Sequence, residues 1–309
     1  MYRIFLIIYL LIININNVVS DEVRIEFKID NEIVTNVDIE REYSYLTALN
    51  TSLRSLEKKK ANEIAKSSVI KEIIKKNELK KYYNLNQDQE YMAEIVKNFY
   101  ERLDIKNEKD FETYLLQYGL KLDNVKKKLE IEALWNEFIY KKYKGQINID
   151  EDKLRKILKE KLKNNNDIQK SYLLSEIFFN EKNTKELNNK YNLINKSIKE
   201  IGFENTANKY SQSDSARDGG NIDWVKDSQL SNILKDQIVN LKIGEHSKMI
   251  TVPGGFLVIK VNDIKEEKVK KNFEKEFKRL ITYEQNRLLN QFSIIYFNRI
   301  KQNSDLSEK

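Results

Sequence analysis

Three consecutive asparagines, Asn164-Asn165-Asn166, separate two stretches whose apolar residues recur at different periods, and this change restricts the possible folds more than any other feature. Before the asparagines the spacing is three and four residues. Met92, Ile95, Val96, Phe99 and Leu103 mark one face, Phe111, Tyr114, Leu115 and Tyr118 a second, and Ile131, Leu134, Trp135 and Phe138 a third. These are helices with one buried side. Asn107 is placed to cap the second, Gly119 to end it and Asp123 to cap the third. Further upstream, Val23 to Ile29 alternates apolar with charged residues and meets a turn at Asp30-Asn31-Glu32, so that Ile33-Val34 completes a short hairpin. Thr35, with Asp38 three positions on, has the form of a helix start, and Ile39, Tyr43, Leu46 and Leu49 continue at helical spacing. A second helix carries Ile70, Ile73 and Ile74.

The pattern breaks at Gly145 and resumes in a charged helix over Glu151 to Lys163. After the asparagines, short strands alternate with helices: a strand over Tyr172 to Phe179, helices over Thr184 to Gly202 and Phe203 to Tyr210, and a strand over Ile222 to Val225. A helix over Ser231 to Leu241 then precedes strands at Met249 to Val252 and Phe256 to Val261. The order β, α, α, β, α, β, β describes a small α+β domain of roughly 90 residues. A long final helix follows, with Phe273, Phe277, Leu280 and Ile281 and then Leu288, Phe292 and Ile295 on apolar faces. Such a face needs a partner, and the N-terminal helices are the expected one. The fold class is therefore α+β: a mostly helical N-terminal module completed by a long C-terminal helix, plus a small domain with a four-stranded sheet and surrounding helices. The expected divisions are 1–20, 21–143, 144–170, 171–263, 264–301 and a tail at 302–309.

The first of these is a secretory signal. Arg3 precedes the apolar run Ile4 to Ile13, and Val18-Val19-Ser20 stands before Asp21, the order of n-region, h-region and cleavage site. The run falls short of the roughly 20 residues needed to span a bilayer. Cleavage after Ser20 is expected to leave a soluble mature protein with no stable membrane span, an uncleaved anchor being the alternative. The chain has no cysteine and one histidine, His246, so neither a disulfide nor a His or Cys metal site is expected, and no cofactor is called for. Lys and Arg number 55 against 48 Asp and Glu, but the two signs are interspersed, which marks solvated helix faces. A nucleic-acid binder would gather basic residues on one face beside stacking aromatics. No such stripe can be read, and nucleic acid is not an expected partner.

One constellation carries chemistry. Tyr210-Ser211-Gln212-Ser213-Asp214-Ser215-Ala216-Arg217-Asp218-Gly219-Gly220-Asn221-Ile222-Asp223-Trp224 is followed by Leu241-Lys242-Ile243-Gly244-Glu245-His246-Ser247 and then by Gly254-Gly255-Phe256-Leu257-Val258-Ile259-Lys260-Val261. These three segments, in this order, resemble the signature of the parvulin (PpiC-type) family of prolyl isomerases. With the N-terminal helices and the returning final helix, the whole resembles a SurA-type periplasmic chaperone with one isomerase domain. A Gly-Gly pair alone would mean only a turn that needs positive φ.

Rotation about an X-Pro bond faces a barrier on the order of 20 kcal/mol and needs no covalent intermediate. A site that holds the proline ring in an apolar slot and favours the twisted amide is sufficient. The parvulin resemblance implies two histidines and a Cys or Asp around that slot. Here Glu176 stands at the first histidine, Leu257 at the second, and Ser213 at the Cys or Asp position, with Asp214 one step away under another reading of the loop. The slot itself is expected at Leu230 and Leu234, with Trp224 and Phe256 beside them. A buried Glu176 should be hydrogen-bonded, raised in pKa or turned to solvent. The resemblance implies binding of unfolded or extended polypeptides, outer-membrane proteins in particular, by a chaperone whose isomerase residues are degraded. The alternative is a working isomerase that tolerates these replacements.

Overall fold

The computed structural model describes residues 22–85, 91–163, 168–181, 183–268 and 272–308. The expected signal peptide lies outside the described residues, as do the three asparagines. Strand β1 (Ile25–Ile29) turns at Asp30, whose φ is +50°, into β2 (Glu32–Thr35), and the hairpin leads straight into helix α1 (Asn36–Leu49). Thr35 and Asp38 cap that helix reciprocally, as their spacing predicts. Then come α2 (Lys58–Leu79), α3 (Met92–Glu101), α4 (Glu108–Leu116), α5 (Leu122–Tyr143) and the charged helix α6 (Glu151–Lys163).

Asn107 does cap α4, its side chain accepting from Asp110 N. Asp123 does not cap α5. That helix starts one residue before it, from Lys121, because Leu122 is already turned into the core as the first helical residue, leaving Asp123 in the first turn with its charge toward the positive end of the helix.

The second unit is built on β3 (Ile168–Phe179), α7 (Thr184–Ile201), α8 (Phe203–Tyr210), β4 (Asn221–Lys226), α9 (Asn232–Ile238), β5 (Ile250–Val252) and β6 (Gly255–Lys268). The four strands form an antiparallel sheet in the order β4-β3-β6-β5, with β3 and β6 paired along their whole length from Ile168 against Lys268 to Phe179 against Phe256. Both strands run further than the apolar alternation announces. The outer end of β6 is charged and that of β3 is mostly polar, so backbone pairing carries them beyond the apolar run. Successive residues face opposite sides. Leu174, Phe178, Leu257 and Ile259 pack with Leu230, Leu234 and Ile238 on one side of the sheet; Ile177, Phe179 and Val258 pack with Ile194, Phe203 and Ala207 on the other.

Helix α10 (Phe273–Gln302) then runs back across the molecule, and β7 (Leu306–Glu308) pairs with β1 to finish a sheet ordered β2-β1-β7. Its second half docks on the N-terminal helices as expected: Tyr296 and Phe297 join Trp135, Phe138 and Ile139, and Trp135 Nε1 donates to Ser293 Oγ at 2.8 Å. Its first half has a different partner. Phe277 and Leu280 enclose Leu158 of α6, which explains how so charged a helix is held.

Candidate functional site

Phe178 on β3 and Leu257 on β6 are cross-strand partners, and both point to the side of the sheet covered by α9, which supplies Leu234. Ser231 fixes the start of α9 by accepting from Leu234 N. Together the three apolar side chains line a cavity of about 290 Å³ whose far wall is α10, through Tyr283, Arg287, Asn290 and Ile294. Glu176, two residues before Phe178 and therefore on the same side, lines this cavity and a second one of about 440 Å³, in which Ser213, Asp214 and Ser215 face Asn286, Leu289 and Asn290.

Glu176 is held by hydroxyls. Ser213 Oγ donates to its Oε1 at 2.5 Å, and Ser215 Oγ lies 3.0 Å from the same oxygen and 3.1 Å from Ser213 Oγ. Burial raises the Glu176 pKa above the ordinary carboxylate value; the two serines oppose the rise without cancelling it, and the charge of Asp214 adds to it. Both hydroxyls converge on one carboxylate oxygen, which accepts from them.

The loop that brings the serines is fastened to β3 at three points. Ser211 Oγ accepts from Phe178 N at 3.1 Å, Gln212 N donates to Phe178 O at 2.8 Å, and Glu176 N donates to Gly220 O at 2.8 Å. Gly220 has φ +81°, and a Cβ there would stand 2.2 Å from the Glu176 carbonyl oxygen. Only glycine allows the loop so near the strand.

The structure brings Glu176, Ser213, Leu234 and Leu257 to one place. Asp214 borders the second cavity and accepts from Lys75 of α2 at 2.7 Å. Leu230 is fully buried beneath the slot, in the same cluster but not on the wall of either cavity. Trp224 lies on the side of β4 opposite Val225, with Lys265 Nζ 4.5 Å from its ring centre, and Phe256 packs against Phe179 on the reverse of the sheet. Strand alternation puts those two aromatics away from the slot. Sequence reasoning missed Ser215 and the whole α10 wall. Ser-x-Ser spacing across Asp214 was the one available signal for the former. His246, in the loop before β5, is exposed.

The same loop is tied to the helical module by charge. Lys75 Nζ bridges Asp214 and Glu132 at 2.7 and 2.8 Å, and Arg217 Nη1 stands 2.6 Å from Glu132 Oε1 as an ion contact without hydrogen-bond alignment. Burial would raise Glu132, but Arg217 and Lys75 outweigh it and bring its pKa down to about 2. Lys71 Nζ donates to Ser211 O at 2.7 Å.

Residues 172–263 match the family model of the rotamase, PPIC-type PPIase domain. The chain therefore carries a parvulin-class domain, and the slot over β3 and β6 lies within the matched residues. Over 65 residues it is 35% identical to Chaperone SurA of Nitrosococcus oceani, a match that spans 21% of this chain and 15% of that protein. One domain of this class on a helical module fits a SurA-type protein. Among solved structures, a chain from the SurA-like Campylobacter jejuni pair, the virulence factor PEB4 and the periplasmic protein Cj1289, is 13% identical and covers 92% of this chain and 98% of its own, with a TM-score of 0.35. PrsA from Bacillus anthracis is 18% identical, covering 76% and 93%, with a TM-score of 0.31. The parvulin domain of PpiD from E. coli is 24% identical, covering 31% and 90%, with a TM-score of 0.27.

Among the described residues no cluster of His, Asp and Glu suited to a metal ion occurs, and no helix is long and apolar enough to cross a membrane.

Proposed function

We propose that this protein is a folding chaperone that holds unfolded or extended polypeptide against its parvulin domain, and that its isomerase site is degraded. One observation carries the reading. The apolar slot of Phe178, Leu234 and Leu257 is kept, while the polar groups around it are Glu176 bonded to Ser213 and Ser215. A slot of this kind retains a proline or another apolar side chain. What it lacks is the histidine pair that the parvulin family sets beneath the substrate amide, since Leu257 offers no hydrogen bond at all. Binding without strong preference for the twisted amide yields affinity rather than rate. The clients proposed are outer-membrane proteins in transit through the periplasm, reached by way of the signal peptide at 1–20. Extended chains rich in aromatics suit an apolar slot with a polar rim.

A working isomerase is the second reading, and the Glu176–Ser213 contact favours it. A neutral carboxyl next to a hydroxyl could supply a hydrogen bond to the rotating amide in place of imidazole. Two assays on the chain from Asp21 separate the readings. In a proline-peptide isomerisation assay with varied residues before the proline, we expect a rate close to the uncatalysed one. In an aggregation assay with an unfolded β-barrel protein, we expect suppression at near-stoichiometric ratios. A large acceleration abolished by Leu234→Ala would replace the first reading by the second; failure to suppress aggregation would remove the first altogether.

A further inference from the structure

The two cavities meet at Glu176 and Asn290, which line both, and so form one cleft between the parvulin sheet and α10. Along α10 it reaches from Tyr283 to Ile294, about 16 Å at 1.5 Å per residue, which is the length of about five residues of extended chain. Its two walls differ in kind. The sheet wall is apolar in one half, with Phe178, Leu234 and Leu257; in the other, Ile222 stands beside Ser213, Asp214 and Ser215, with Asn136 and Ile139 of α5 at the edge. The helix wall sets amides among Tyr283, Leu289 and Ile294.

Three of those amides matter. Gln291 is engaged, donating to Pro253 O. Asn286 and Asn290 line the cleft, and among the described residues their side-chain amides make no hydrogen bond. Arg287 also lines the cleft, its Nε donating to Glu284 at 2.8 Å. Asn286 and Asn290 are four apart and so lie on one face of α10, about 6 Å from each other along its axis. In an extended chain, peptide groups that point the same way repeat every two residues, at about 6.6 Å. The two spacings match closely enough for both amides to bond alternate peptide units of one strand. An asparagine amide offers a donor and an acceptor, which is what a peptide unit presents.

We propose that Asn286 and Asn290 of α10 are the backbone-reading wall of the peptide site, gripping an extended polypeptide in a manner indifferent to its sequence, while the sheet wall receives its apolar side chains. This rests on the chaperone reading above and names the residues that would give it breadth. Binding through the main chain is the requirement for a protein that serves many unfolded clients, because the main chain is what they share.

The test uses the full chain from Asp21 and two fluorescein-labelled ten-residue peptides: one with aromatic residues at alternate positions, the other its scrambled version. Fluorescence anisotropy gives the affinity of the native protein, of the Asn286→Ala/Asn290→Ala double variant, and of Asn290→Trp, which fills the cleft where its two halves meet. The native protein should bind both peptides with affinities within a few-fold. The double variant should lose about tenfold or more for both peptides, on the usual worth of a hydrogen bond lost at two positions. Its melting temperature should not move, since these amides bond to nothing within the chain. Asn290→Trp should abolish binding. Native affinity in the double variant, or a loss confined to one peptide, would overturn the assignment even if Asn290→Trp blocks the cleft. If the native protein binds neither peptide, the chaperone reading itself falls, and that result is distinct from the other two.

Discussion

At the scale of single residues, Glu176 concentrates the conflict between burial and charge. Its folded pKa lies above the ordinary value because burial outweighs the bonds from Ser213 and Ser215. Ionising it in the folded protein is therefore costlier than in the unfolded chain. The stability this gives is fully present below the unfolded pKa and is lost as pH rises through the folded one. Glu176→Gln keeps the size and one acceptor oxygen and removes the ionisation. We expect it to melt higher than the native protein at pH 8, with the difference shrinking as pH falls toward 4.5. Thermal denaturation of both proteins across that range checks this, and a difference independent of pH would mean that Glu176 does not titrate abnormally. The sequence left Glu176 three outcomes, a hydrogen bond, a raised pKa or a turn to solvent, and the structure shows the first two. Which serines would supply the hydrogen bond depended on the path of the loop, which Gly220 sets by its close approach to β3.

Among the elements, α10 has the most to do. It joins three different cores: Phe277 and Leu280 with α6, Tyr283 and Ile294 with the parvulin slot, and Leu289, Phe292, Tyr296 and Phe297 with the N-terminal helices. A helix shared in this way should make the units unfold together. Trp135 is the residue most committed to that joint, with no exposed surface, aromatic contacts to Tyr296 and Phe297 and a hydrogen bond to Ser293. Trp135→Ala should cost about 3–5 kcal/mol. Urea denaturation should register it as an earlier midpoint, and α10 should become more open to protease. A variant that loses stability but keeps α10 as resistant as before would show that the helix is held mainly by its other two contacts.

For the whole molecule, the decisive feature is the ionic seam between the parvulin loop and α2 and α5. Lys128 joins it by pairing Glu42 at 2.5 Å and also Glu72. Lys71 sits at its edge with a folded pKa brought down to about 7, by burial first and then by Arg217, Lys301 and Lys75, against the pull of Asp214. An unfolded lysine holds its proton to about pH 10.4. Between pH 7 and pH 10 the unfolded chain therefore binds a proton the folded one has released, and stability from this group rises with pH across that window. Lys71→Met should exceed the native protein in melting temperature most clearly near pH 6.5, and the gap should narrow steadily toward pH 10. A constant gap would mean that Lys71 keeps its proton in the interface.

The residue pattern by itself determined the elements and their order, because a period of 3.6 or 2 is a property of neighbours a few positions apart. Helices α3 to α5, the capped start of α1 and the β, α, α, β, α, β, β run of the second unit were legible for that reason; the gathering of Glu176, Ser213 and Leu257 came from the parvulin resemblance and from no period. Strand alternation also bore on Trp224 and Phe256: each sits beside a residue of the slot side, Val225 and Leu257, and so faces away. Tertiary structure alone decided the rest. The pairing of Asp214 with Lys75, 139 positions apart, the third strand that β7 adds to the first hairpin, and the amides of α10 across from Glu176 of β3, more than 100 residues before them, depend on how finished elements dock. Docking is set by shape and charge over the whole surface, and no local period encodes it.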